Sequence, residues 1–209
     1  PSHVYPNPGK YTVSLTITDA KGCIESVTKT DTIEVYNPPV AAIGLSDTVG
    51  CRPFQVQFAD QSSGNAVITS WNWNMSNLSN SLLASPNYIF TQAGNYAVDL
   101  MVTDANGCTG NPRRFLQVND LPDADFYAID TIGCSPDVFN FVNTSSGPSP
   151  LTAWSWNFGD GNSANVPQPS HSYVQEGSYT VSLLITDQNG CTDSLNRPAY
   201  IRLSNPDAD

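Results

Sequence analysis

Charge is scarce in this chain. Lys, Arg, Asp and Glu together make 13% of 209 residues, and the shortage falls hardest on the basic ones, leaving a net charge of −11. A surface so poor in Lys and Arg argues against binding a phosphate backbone, so nucleic acid is not an expected partner. No apolar run reaches the length that crosses a bilayer, which excludes membrane insertion by a helix in this segment. No stretch carries a helical period either, so apolar residues do not gather on a 3.6-residue face. Histidine is limited to His3 and His171. Catalysis or metal binding built on several histidines is therefore excluded.

What the chain has in quantity is itself. Trp71-Asn72-Trp73-Asn74 returns as Trp154-Ser155-Trp156-Asn157, Cys51 as Cys134, and Asn106-Gly107-Cys108 as Asn189-Gly190-Cys191, each at an offset of 83. A partial copy opens the chain, where Gly9-Lys10-Tyr11-Thr12-Val13 leads to Gly22-Cys23. At the other end Pro206-Asp207-Ala208-Asp209 repeats Pro122-Asp123-Ala124-Asp125. The organisation read from this is the back half of one domain at 1–38, whole domains at 39–121 and 122–205, and the start of another at 206–209. A stretch of a longer array of similar domains is expected.

Within each copy the periodicity is two. Tyr179, Val181, Leu183 and Ile185 share one strand face, as do Tyr96, Val98, Leu100 and Val102, and Tyr11, Val13, Leu15 and Ile17. Each of these strands runs into Asp-x-x-Gly, at Asp19, Asp104 and Asp187, a tight-hairpin signal. Val56 with Phe58 and Phe139 with Phe141 give another half-buried strand. About seven short strands per copy, separated by turns, predict an all-β fold of tandem immunoglobulin-like sandwiches.

The last copy carries a resemblance. Trp154-Ser155-Trp156-Asn157-Phe158-Gly159-Asp160-Gly161, then Pro169-Ser170-His171-Ser172-Tyr173, then Gly177-Ser178-Tyr179-Thr180-Val181, resembles the PKD (polycystic kidney disease) domain. The middle copy departs from that pattern, with Met75-Ser76-Asn77-Leu78 in place of Phe-Gly-Asp-Gly and Tyr88 in place of the histidine. The variant with an early Gly-Cys-x-Pro and a late Asn-Gly-Cys resembles arrays in large secreted surface proteins of the Bacteroidetes group. That resemblance implies an extracellular or cell-surface adhesin, gliding-linked in some cases and exported by the type IX route.

Five cysteines at matched positions read as a disulfide framework. In an immunoglobulin-like sandwich Cys51 and Cys134 fall at the A–B turn and Cys108 and Cys191 at the F–G turn, at opposite ends. A six-residue strand spans roughly 20 Å, whereas bridged Cα atoms lie within about 7 Å. The pairing expected is Cys51–Cys191, between domains. Cys23, Cys108 and Cys134 are then half-cystines for flanking repeats. Pairing inside each copy, Cys51–Cys108 and Cys134–Cys191, and free thiols are the alternatives. Short proline-bearing linkers, Tyr36 to Pro39 and Asn119 to Pro122, favour a stiff rod.

Other residues are weighed singly. His3 and His171 occupy equivalent positions beside Tyr5 and Tyr173 and read as structural. Asp160 reads as a turn former that bonds its own backbone. Asp120, Asp123 and Asp125 gather near a linker, but hard cations take six to eight oxygens, so no cofactor or metal is assigned, with bound calcium as the alternative. Trp73 and Trp156, with their neighbours Trp71 and Trp154, read as core rather than a sugar platform. Tyr11, Tyr96 and Tyr179, each two residues after a glycine, read as tyrosine corners. Thr32, Thr48, Thr131 and Ser194 follow aspartate and precede an apolar residue, which resembles the O-glycosylation acceptor motif of Bacteroidetes secreted proteins. The function expected is a non-catalytic stalk or filament segment projecting an adhesive tip, its partners neighbouring repeats, surface glycans or other surface proteins. The alternatives are a spacer in a secreted protease or chitinase, and a carbohydrate-binding module.

Overall fold

A computed structural model describes residues 2–205; the restart expected at 206–209 lies outside the described residues. Among the described residues there are nineteen strands and no helix. The partial copy contributes β1 (Gly9–Thr18) and β2 (Ile24–Val35), an antiparallel ribbon. The middle copy contributes β3 (Ile43–Leu45), β4 (Val49–Cys51), β5 (Phe54–Asp60), β6 (Ile68–Met75), β7 (Ser79–Ser81), β8 (Asn87–Phe90), β9 (Gly94–Asp104), β10 (Thr109–Gly110) and β11 (Arg113–Asn119). The last copy contributes β12 (Phe126–Ala128), β13 (Ile132–Cys134), β14 (Asp137–Asn143), β15 (Leu151–Asn157), β16 (Ser163–Ala164), β17 (Ser170–Tyr173), β18 (Gly177–Asp187) and β19 (Thr192–Ser204).

Each whole copy has more strand segments than the seven read from sequence, and the main reason is a split first strand. β3 pairs antiparallel with β5, while β4, three residues on, crosses to the other sheet and pairs parallel with β11. β12 and β13 divide the same way between β14 and β19. The crossing covers the open edge of the long hairpin, an edge that would otherwise present unpaired backbone groups. The sheets are β4-β11-β9-β6-β7, with β10 on β9, and β3-β5-β8 in the middle copy. They are β13-β19-β18-β15-β16 and β12-β14-β17 in the last. By compactness the chain forms two units: Pro1–Ser46, Gln57–Asn87 and Tyr96–Phe115 make one, and Asp47–Val56, Tyr88–Asn95 and Leu116–Asp209 the other.

The period of two decides the core. Val181, Leu183 and Ile185 are fully buried against Phe126, Phe139, Phe141 and Trp156, which come from both sheets. Val98, Leu100 and Val102 are buried alike in the middle copy, where the Phe58 and Trp73 rings lie 5.6 Å apart. Trp73 and Trp156 are both fully buried, and each indole N–H donates to a backbone carbonyl, Leu83 at 2.9 Å and Val166 at 3.0 Å. Burying a ring of this size is the largest single apolar contribution in each sandwich. Among the described residues no second sheet packs on the equivalent face of β1, where Leu15 is 59% and Ile17 57% exposed.

Trp71 and Trp154 are half-buried and differ in one bond. The Trp71 indole donates to the Asp60 carboxylate at 2.7 Å, while Asp60 also accepts from the Ser62 amide. The last copy has Asn143 at that position; its side-chain oxygen accepts from the Ser145 amide. That leaves only an amide nitrogen, a second donor, for Trp154, whose indole nitrogen is buried without an acceptor.

Two stability outcomes follow from this packing. Trp156→Ala is expected to cost about 3–5 kcal/mol in denaturant unfolding, whereas Leu15→Ala on the exposed ribbon is expected to stay within about 0.5 kcal/mol. Asn143→Asp supplies the missing acceptor and is expected to raise the denaturation midpoint, by about 1–2 kcal/mol of stability near neutral pH. A lowered midpoint would show that the Asn143 amide is needed as it stands.

Candidate functional site

The long hairpin closes through one carboxylate in each copy. Asp187 is buried, and its Oδ1 accepts from the backbone amides of Asn189 at 2.9 Å and Cys191 at 2.8 Å. Asp104 makes the same two bonds to Asn106 and Cys108, both at 2.9 Å. Asp19 bonds Lys21 and Cys23 at 2.8 and 2.9 Å. The glycine between must turn left-handed, with φ of 82° at Gly107 and 79° at Gly190, a conformation that a Cβ would strain. Asp, Gly and Cys at this spacing thus fix the direction in which the cysteine leaves the turn.

The other half of the site is the end of the crossing strand. β4 pairs Cys51 with Asn119 of β11, and β13 pairs Cys134 with Ser204 of β19. Gly50 precedes Cys51 because a Cβ there would run into the Phe54 ring. The peptides Arg52–Pro53 and Ser135–Pro136, just beyond each cysteine, are both cis. The Arg52 guanidinium bonds the Asp120 carboxylate.

The structure joins Cys51 to Cys191, with Cα atoms 5.6 Å apart and a sequence separation of 140. Both cysteines lie in the second compact unit, though one comes from the middle copy and the other from the last. Cys191 is fully buried. Cys23 and Cys134 are exposed and Cys108 half-buried, all three as thiols. Neither within-copy pair, Cys51–Cys108 or Cys134–Cys191, is formed. A cross-link over so long a loop removes unfolded-state entropy worth about 5 kcal/mol in the chain-entropy model.

A second cluster gathers on the last copy's Gly-Asp-Gly turn. His171 Nε2 lies 2.8 Å from Asp160 Oδ2, and the imidazole stacks on Phe158 at 4.1 Å between centroids. Asp160 also accepts from the Asn162 backbone and side-chain amides. Burial alone would raise the Asp160 carboxyl, but the bonds from His171 and Asn162 outweigh it and hold the group below its ordinary 3.8. Burial, then the Asp160 charge, pushes the Tyr173 phenol well above its ordinary value; its hydroxyl donates to the Phe158 carbonyl at 2.9 Å. These contacts lock the turn against β17 and bring no nucleophile to the histidine. His3 meets the edge of Tyr5.

The remaining candidates separate. Tyr11 and Tyr179 are half-buried, and each hydroxyl donates to the carbonyl four residues earlier, Asn7 at 2.6 Å and Gln175 at 2.7 Å; Tyr96 holds the same strand position. Asp120 is committed to Arg52, and Asp125 to Arg197 at 2.9 Å. Among the described residues no group of three or more His, Cys, Asp or Glu side chains is placed to hold a metal. Thr32, Thr48 and Ser194 are exposed and Thr131 half-buried. The Thr48 and Thr131 carbonyls accept from Gln117 and Arg202 of the neighbouring strands. Sequence reading missed Arg197, which bonds the Phe126 carbonyl at 3.0 Å and lies over the Phe126 and Tyr200 rings. Arg114 stands at the repeat-equivalent position, but Ala42 and Ile43 replace Asp125 and Phe126 there, so repetition gave no signal of these contacts.

Two measurements probe the site. Cys51→Ser is expected to expose one new titratable thiol at Cys191 and to lower stability by about 2–4 kcal/mol; thiol counting with unfolding curves reads both. The Asp160 carboxyl has a folded pKa below its unfolded one, so its stabilisation is full above about pH 4 and is lost as pH falls through the lowered folded value. Asp160→Asn is therefore expected to shrink the gap between denaturation midpoints at pH 7 and pH 3. An unchanged gap would assign the acid sensitivity to other carboxylates.

Comparison with known proteins fits this geometry. A family model described as PKD domain matches residues 1–35, 36–118 and 119–202. Collagenase ColA of Clostridium perfringens is 31% identical over 99 residues, covering 46% of this chain and 9% of that protein. Microbial collagenase of Vibrio alginolyticus is 37% identical over 63 residues, covering 30% of this chain and 8% of that protein. The chain thus spans less than a tenth of the length of either collagenase. The solved structure of the N-terminal eight Ig domains of Down Syndrome Cell Adhesion Molecule covers 91% of this chain and 31% of its own at TM-score 0.55 and 11% identity, a likeness of fold alone. With a matching family model along nearly its whole length and the sandwiches that model implies, the chain belongs to the PKD domain family.

Proposed function

We propose that this chain is a non-catalytic spacer region of a secreted hydrolase, made of consecutive PKD domains that hold other domains apart. The observation that carries this reading is the run of PKD matches along the chain together with relatives that are collagenases. PKD domains are generally non-catalytic, and the His171–Asp160 pair is spent on locking a turn. An extracellular location agrees with the disulfide, a bond that persists in oxidising compartments. Among the described residues no helix is long and apolar enough to cross a membrane.

A second reading, a stalk or filament segment of an adhesin, is favoured by one observation. Cys51–Cys191 ties one copy to the next, which restrains the relative motion that is otherwise the default between linked domains. Adhesive partners such as surface glycans, export by the type IX route, gliding and glycans on Thr32, Thr48, Thr131 or Ser194 belong to this second reading.

An antibody against residues 1–209 separates the two. Applied to the native secreted fraction, it is expected to deplete proteolytic or glycan-hydrolysing activity. Depletion of cell attachment with hydrolysis intact would instead establish the stalk. Purified residues 1–209 alone are expected to hydrolyse neither gelatin nor chitin.

A further inference from the structure

The hairpin turns of the two whole copies carry the same reactive dipeptide. Asn106-Gly107 and Asn189-Gly190 stand 83 residues apart, and the partial copy has Lys21-Gly22 in that place. An asparagine before glycine is open to attack by the next backbone nitrogen, because glycine puts no side chain in the way of ring closure. Both asparagines are exposed. Where a Cβ would sit on Gly107 or Gly190, nothing lies within 4 Å.

The backbone treats the two sites alike. The Asn106 and Asn189 amides each donate to the turn carboxylate at 2.9 Å. The Gly107 and Gly190 amides donate to the Asp104 and Asp187 carbonyls at 3.0 and 3.1 Å. The loop beside each turn runs equally close, since Ala105 donates to the Val67 carbonyl and Gln188 to that of Pro150, both at 2.9 Å. The side chains differ. Asn189 Nδ2 donates to the Ser149 hydroxyl at 2.8 Å. The repeat equivalent of Ser149 is Ala66, which has no hydroxyl, and the Asn106 carboxamide has no protein partner among the described residues. A carboxamide that is free to rotate reaches the geometry of attack, whereas a tethered one must first break its bond.

The structure assigns Asn106 as a self-modification site, where the folded chain deamidates, with Asn189 protected by Ser149. The Gly107 nitrogen gives its proton to base and bonds to the side-chain carbonyl carbon of Asn106. The side-chain nitrogen leaves as ammonia, and a cyclic imide remains. Water then opens the imide: at the side-chain carbonyl it leaves aspartate, at the main-chain carbonyl isoaspartate. Water is the only other reactant, and nothing is oxidised or reduced. Isoaspartate puts an extra methylene into the main chain between Asp104 and Cys108. Asp104 Oδ1 holds the amides of Asn106 and Cys108 both at 2.9 Å, and the lengthened turn cannot keep both. The modification thus loosens, irreversibly, the turn that directs Cys108, and adds a negative charge beside Asp104. The inference goes beyond the spacer reading and does not depend on it.

The test is ageing of residues 1–209 in warm, mildly alkaline buffer under argon, which keeps Cys23, Cys108 and Cys134 as thiols. Peptide mapping that resolves aspartate from isoaspartate follows both sites, folded and in denaturant. In the folded chain Asn106 is expected to lose its amide about two- to tenfold faster than Asn189, the effect of one neutral hydrogen bond. In denaturant the two rates are expected to converge, since both sites read Asn-Gly-Cys. Ser149→Ala is expected to bring Asn189 up to the rate of Asn106, and Ala66→Ser to slow Asn106. Equal rates in the folded chain, or an Asn189 rate unmoved by Ser149→Ala, would overturn the assignment. So would a folded chain that keeps both amides while the denatured chain loses them. Hydrogen exchange on the aged chain is expected to be faster at the Cys108 amide and unchanged at Cys191; an unchanged Cys108 would overturn the loosening of the turn.

Discussion

The alternation of side chains along one long hairpin is the constraint on which the remaining features rest. Because Val181, Leu183 and Ile185 point one way, a second sheet must supply matching apolar surface. Phe126, Phe139 and Phe141 do so, with Trp156 between them. A one-residue slip would turn every one of these side chains to water, so the register admits no neighbour. The tyrosine corner and the aspartate turn pin the two ends of that hairpin. β1 and β2 keep the same register shift, corner and turn.

From this hairpin the geometry of the cross-link follows. The turn holds a cysteine at one end of the sandwich, and the crossing strand, pairing parallel with the last strand, ends in a cysteine at the other. Neither copy bonds its own pair of cysteines, and Cys51–Cys191 joins one copy to the next. It gives consecutive copies a covalent restraint that packing across a short linker would not supply by itself.

The last copy is the better-furnished of the two whole ones at its Gly-Asp-Gly turn, where His171 and Asp160 bond at 2.8 Å, and the middle copy the better at its half-buried tryptophan, where Asp60 accepts from Trp71. Each copy thus lacks a polar contact that the other has. Drift of this kind is tolerated in repeats because each sandwich depends first on its apolar interior.

Much of this was legible in the residues. Period-two alternation, Asp-x-x-Gly turns and paired tryptophans gave an all-β tandem sandwich, because each is a local rule that tertiary context does not reverse. The inward role of Trp73 and Trp156 was legible for the same reason. Three things were decided only by the tertiary structure. The first strand divides between two sheets because an exposed edge needs covering, which no local pattern states. Arg197 closes on Asp125 and Phe126 across about seventy residues of chain, a contact made by packing alone. And the Trp154 indole nitrogen is buried without an acceptor where the Trp71 indole bonds Asp60, since only packing brings each ring against the side chain at position 143 or 60.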